Sequence, residues 1–159
     1  MHPRAPHRRI STPRPAERRV LQCVIGTAVL VPILAGAAGV WQGARMIKGI
    51  AAGTPELDSH FRYLSGLLLG IGLAFAAMVP TIERQKRLFW TLGGIVMVGG
   101  ASRFLSGVLD GFPTGAHRYA LGMELIVMPL LMLWQGRVAS QAGAEVTPAA
   151  PRASASDRP

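Results

Sequence analysis

Arg103 and Glu124 are the residues from which chemistry can be argued first, because each lies inside an otherwise apolar run. A guanidinium and a carboxylate can pair through two parallel N–H···O bonds, and together they can recognise a small polar ligand or headgroup. Glu124 alone could also take up and release a proton in an aqueous cavity. An ionisable side chain at the centre of a membrane costs about 2.5–3.5 kcal/mol on insertion scales, so it is expected to find a partner or water. Arg62, Ser106 and Asp110 complete the candidate polar cluster: Arg62 opens one apolar run, while Ser106 and Asp110 follow Arg103 at helical spacing.

The elements that must position these groups are set by apolar runs. Half of the 159 residues are hydrophobic, and mean hydropathy is +0.33. The apolar residues concentrate in four stretches, predicting helices over 20–40, 61–80, 88–109 and 119–136. Each is close to the roughly 17–25 residues that a helix needs to cross a hydrocarbon core of about 30 Å. Apolar and polar residues do not alternate along them, which excludes a membrane β-barrel. The expected fold is therefore all-α, an integral membrane bundle of four transmembrane helices over residues 20–137. A basic, Pro-containing tail (1–19) and an Ala/Ser/Pro-rich tail (138–159) flank it, both expected to be disordered.

A formal charge of +9 would suit nucleic acid if it were gathered on one face, but its distribution argues for a membrane. Arginines crowd before the first run, Arg84, Lys86 and Arg87 fill the middle loop, and Arg137, Arg152 and Arg158 follow the fourth run. The opposite loops hold few basic residues, with Glu56, Asp58 and Asp110 beside them. This positive-inside pattern predicts an inner (plasma) membrane protein with both termini cytoplasmic. Membrane lipid, not nucleic acid, is then the anionic neighbour. Trp41, Trp90, Trp134, Tyr63 and Tyr119 stand at run ends, where amphipathic rings favour the headgroup level. Arg18-Arg19 before an apolar stretch with Ala35-Gly36-Ala37 beyond it also resembles an export signal, but the continuing membrane segments make a retained first helix simpler. Cys23, the single cysteine, excludes an internal disulfide and reads as a small buried apolar residue.

Depth and spacing then suggest which groups meet. In this topology Arg103 lies on the order of 9 Å, and Glu124 about 7.5 Å, below the same outer surface, so Glu124 is the expected partner of Arg103. Helical spacing gathers Gly99, Arg103, Ser106, Gly107 and Asp110 on one face, and Arg62, Ser65, Gly66, Leu69 and Gly70 on another. Gly39 and Gly43, Gly66 and Gly70, and Gly107 and Gly111 stand four apart, a spacing that lets helices approach closely in lipid. Gly66, Gly70, Gly99, Gly100 and Gly107 are the expected packing positions. Pro32 and Pro129 are expected to kink the first and fourth helices. Residues 62–70 and 103–111 also echo one another, chiefly as two ways of bringing an arginine close to a backbone.

Arg62 with its following glycines, Gly99-Gly100-Ala101-Ser102-Arg103-Phe104-Leu105-Ser106, Asp110-Gly111-Phe112-Pro113, and Glu124-Leu125 with Pro129 resemble a bacterial family, domain of unknown function 4345. The resemblance covers residues 21–136. It implies a small four-helix membrane protein, more loosely similar to the DoxX-like group, and implies no activity.

Function classes can be ordered on this basis. No Gly-rich phosphate loop or nucleophile elbow occurs. His60 and His117 lack the tight spacing of a metal motif and read as solvated loop histidines. The chain is therefore expected not to be an enzyme and to need no cofactor or metal. The leading expectation is a structural or ligand-binding bundle whose outer-leaflet cluster meets a small molecule, a lipid, a partner membrane protein or a second copy. The alternative is a small transporter or proton-conducting subunit using Glu124.

Overall fold

The computed structural model describes residues 15–47, 53–112 and 115–145, and these are helical with short connections. Helix α1 (Pro15–Ala28) and helix α2 (Leu30–Gln42) form one span interrupted at Val29. Pro32 explains the interruption, because it has no N–H for the Ala28 carbonyl and its ring crowds that oxygen. A 3₁₀ turn (Gly43–Met46) follows α2. Helix α3 (Pro55–Met78) is capped by Thr54, whose hydroxyl accepts from Leu57 N–H at 3.3 Å, with Pro55, Glu56 and Asp58 in the first turn. Pro80 ends the α-helical ladder, and a 3₁₀ segment (Val79–Arg84) leads into helix α4 (Lys86–Asp110).

The last span is composite. Helix α5 (Ala116–Gly122) passes through a π turn (Met123–Val127) into helix α6 (Met128–Glu145). Pro129 lacks the N–H that a regular ladder would use there, and the π turn takes up the mismatch, with Met128 N–H reaching back to Met123 O. Pro129 thus widens the helix before it, where a simple kink was expected.

Four helical stretches are long and apolar enough to cross a membrane: Ala16–Met46, Pro55–Arg84, Lys86–Asp110 and Ala116–Ala142. The helices outrun the sequence-based boundaries at both ends. Residues 15–19 and 138–145, assigned to disordered tails from composition, are helical. Arg18 and Gln22 anchor the first by reaching the α3–α4 connection, and Val138 is buried in the core. The rest of the two tails, 1–14 and 146–159, lies outside the described residues.

The core occupies one half of the bundle. Leu21 and Ile25 of α1, with Val29 at the break, meet Phe75 and Met78 of α3, Phe89 of α4, and Met128, Leu131, Met132 and Val138 of α6. Phe75 and Phe89 make an edge-to-face contact, with centroids 5.2 Å apart. Along one stripe of α3 at heptad spacing, exposure falls from 49% at Leu64 and 39% at Leu68 to 6% at Phe75 and 3% at Met78. On α4 the matching stripe runs from buried Phe89 through Leu92 and Val96 at the core edge to exposed Gly99, Ser106 and Asp110.

Burial is thus lost progressively toward one end. There the bundle consists of two helical pairs, each with its own seam. The α2–α3 seam closes over Gly36 and Gly39, where an added Cβ at Gly36 would lie 2.6 Å from Leu69 N. The α4–α6 seam closes over Gly93 and continues to the π turn at Gly100. Among the described residues no Cα of α2 comes within 8 Å of one in α4, α5 or α6, and none of α3 comes within 8 Å of one in α5 or the π turn. The result is a wedge, shut at the Phe75–Phe89 end and open at the other.

Candidate polar site at the open end

The open end holds an interhelical group of three polar side chains. Arg103 donates from Nε to Glu124 Oε2 at 3.1 Å and from Nη2 to Glu124 Oε1 at 3.2 Å, the side-on bidentate arrangement that suits a planar guanidinium. Its Nη1 lies 3.1 Å from His117 Nδ1. A guanidinium only donates, so His117 accepts at Nδ1 and carries its hydrogen on Nε2 when neutral. Side-chain exposure is 34% for Arg103 and 19% for Glu124, so the pair sits at a protein boundary and not in a sealed core.

Two local features bring these residues together. Glu124 belongs to the π turn, and α4 can approach this turn because residue 100 has no side chain. A Cβ on Gly100 would stand 2.7 Å from Glu124 Cβ and 2.9 Å from Leu125 Cδ2. The wide turn, a type of distortion frequent at functional sites, and the glycine opposite it therefore set the position of the carboxylate.

Arg62 belongs to a different group, which corrects the single cluster expected from depth. Its Nε donates to Asp58 Oδ2 at 2.7 Å, one helical turn away. Its Nη1 donates to the carbonyls of Val40 and, at 3.1 Å, Trp41. Asp58 Oδ1 in turn accepts from Ala44 N–H at 2.9 Å. Arg62 and Asp58 thus satisfy the carbonyls and an amide at the end of α2, where a cation is favoured by the helix dipole. Gly43 makes the turn there with φ +63°, and a Cβ on it would collide with Asp58. The resemblance between 62–70 and 103–111 therefore hides two roles: a helix cap and an interhelical pair.

Other expected positions divide in the same way. Ser106 and Asp110 are exposed on α4, at heptad spacing from Phe89, and Asp110 has no ion pair among the described residues. Gly100 and Gly107 are contact positions, the latter against the Phe112 ring. Gly66 makes only ordinary contact with Val40, while Gly70 and Gly99 face open space. Four-residue spacing identifies a helix face but not the neighbour it meets, so Gly36, Gly72 and Gly93 were missed as close-approach positions. His117 bonds to Arg103 and is not simply a solvated loop residue, and Cys23 is exposed instead of buried. Among the described residues no group of three or more His, Cys, Asp or Glu is placed to hold a metal ion.

A family model described as Domain of unknown function (DUF4345) matches residues 20–135. The chain belongs to this family. No curated protein and no solved structure matches the chain. The DUF4345 segment spans the Arg103–Glu124–His117 group, the Arg62 cap and all of the closed core except Val138.

That closed end carries polar residues which composition did not single out. In the DUF4345 chain, Gln22 Nε2 donates to Val79 O at 2.9 Å, Arg18 Nη2 to Pro80 O at 3.0 Å, and Gln135 Nε2 to Ile82 O at 2.8 Å. Arg18 also pairs with Glu83 at 3.1 Å. These side chains add donors to carbonyls of the 3₁₀ segment that follows the Pro80 break, where Ile82 O also accepts from Gln85 N–H at 3.4 Å. Gln135, fully buried, was the one polar residue within the last apolar run that could have signalled this role.

Proposed function

We propose that this DUF4345 protein spans the inner membrane four times with both termini cytoplasmic, and is a non-enzymatic binding protein whose wedge opens toward the outer leaflet. The Arg103–Glu124–His117 group is the recognition element. The observation that carries this reading is a bidentate ion pair, only partly buried, at the mouth of an open wedge between two helical pairs. An ion pair serving only to fasten helices would be equally well served in the closed half, where α1, α3, α4 and α6 all converge. The orientation rests on the basic residues at the closed end, including Arg19, Lys86 and Arg87, against the balanced charges at the open end.

The test is purification from native membranes in mild detergent, followed by identification of what copurifies. A defined small molecule or lipid retained by the native chain and lost from Arg103→Gln supports the reading. A chain that purifies with the same content whether or not Arg103 is present contradicts it and leaves the pair a fastening between α4 and the π turn.

A further inference from the structure

The walls of the wedge differ in chemistry. On α3, Leu64 and Leu68 continue, exposed, the stripe that is buried lower down at Phe75 and Met78. On α4 the stripe that begins at Phe89 continues as Gly99, Arg103, Ser106 and Asp110. From Phe75 to Leu64 the apolar wall rises about 16 Å at the standard helical pitch, and nothing lies within 4 Å of the missing Cβ of Gly99 on the facing wall. One wall can therefore accept a hydrocarbon chain, and the other offers small and polar groups near the open end.

Hydrogen-bond capacity remains at that end. A guanidinium has five N–H groups; Arg103 commits three, to Glu124 Oε1, Glu124 Oε2 and His117 Nδ1, leaving one on each of Nη1 and Nη2. Asp110, seven residues further along the same stripe, presents an exposed carboxylate with no ion pair among the described residues. The formal charges of Arg103 and Arg118 balance those of Glu124 and Asp110. A purely anionic headgroup would satisfy the guanidinium but meet two carboxylates. A headgroup carrying both charges satisfies both ends of the stripe.

From this complementarity, and resting on the membrane-spanning binding reading above, we infer that the wedge holds a zwitterionic phospholipid with a primary ammonium, of the phosphatidylethanolamine class. Its acyl chain lies along Leu64 and Leu68, its phosphate accepts from the free N–H groups of Arg103, and its ammonium donates to Asp110. The three N–H donors of the primary ammonium distinguish it from the trimethylated phosphatidylcholine headgroup, which has the same charge and no donor.

The experiment is lipid titration of the delipidated full chain in detergent, read by native mass spectrometry with phosphatidylethanolamine, phosphatidylcholine and phosphatidylglycerol of matched acyl chains. The native chain is expected to retain phosphatidylethanolamine at least about tenfold better than either competitor, the scale of a hydrogen bond to a charged group. Asp110→Asn, at an exposed position that does not hold the fold, is expected to remove that preference, and Arg103→Gln to weaken all phospholipid binding. Equal or tighter retention of phosphatidylglycerol, or an unchanged preference in Asp110→Asn, overturns the lipid assignment. If phosphatidylglycerol retention then still depends on Arg103, the binding reading survives without it. A lipid-free dimer, or binding indifferent to both substitutions, overturns both.

Discussion

Replacing Arg103 and Glu124 by glutamine, singly and together, reads out the direct interaction between them. The pair has two N–H···O bonds of 3.1 and 3.2 Å, longer than the roughly 2.7–2.9 Å of the strongest charge-assisted bonds. Polar contacts between helices in lipid average about 0.6 kcal/mol and reach about 1.7, while exposed ion pairs give roughly 0.2–1 kcal/mol. Two bonds at a partly exposed site therefore predict a coupling energy of about 1–2 kcal/mol. The single losses should be unequal. Arg103→Gln leaves the less exposed partner, Glu124, without its cation, whereas Glu124→Gln leaves Arg103 bonded to His117 and within reach of water. Arg103→Gln should be the costlier change. Reversible unfolding in mixed detergent micelles, with helicity as the signal, gives all four free energies. Additivity to within about 0.5 kcal/mol would refute a direct pair, and a larger loss for Glu124→Gln would refute the burial argument.

The seams make further predictions. Gly100→Ala, which drives a Cβ to 2.7 Å from Glu124 Cβ, should cost about 1–3 kcal/mol as overpacking, while Gly99→Ala and Gly70→Ala, which meet nothing, should be neutral or gain up to about 1 kcal/mol of helix propensity; the same unfolding assay ranks them. Gln135→Leu should lose about 0.5–1.5 kcal/mol by removing the 2.8 Å bond to Ile82 O, which keeps only the longer bond from Gln85 N–H at 3.4 Å, and an unchanged midpoint would show that removing the unbonded Gln135 Oε1 offsets the loss. Arg62→Lys should lower Tm and speed hydrogen exchange at the end of α2, because a single ammonium cannot serve Asp58 and the Val40 and Trp41 carbonyls in the same planar geometry.

The four long apolar helices and the Arg103–Glu124 proximity were legible because both follow from arithmetic along a helix: residue count gives length, and rise gives the level of each residue along it. Depth alone then drew Arg62 into the same cluster. The competing signal was the four-residue spacing from Asp58 to Arg62, which favours a local pair and left the arginine to cap α2. Which glycines meet a neighbour was not legible, since Gly70 and Gly36 look alike until the packing direction of each helix is known. The π turn was missed because Pro129 specifies a lost hydrogen bond without specifying how the backbone compensates. The helical stretches beyond the apolar runs, residues 15–19 and 138–145, depend on tertiary partners such as the α3–α4 connection reached by Arg18, which composition does not encode.

The proposal that the polar site opens on the outer side of a membrane is tested most directly by thiol accessibility. With Cys23, the sole cysteine, replaced by serine, a single cysteine is placed either at Asp110, at the open end, or at Arg84, at the closed end. A membrane-impermeant maleimide should label Asp110→Cys in right-side-out vesicles and Arg84→Cys only in inverted ones. Labelling with the sides exchanged, or of both positions from one side, would contradict the proposed placement of Arg103 and Glu124.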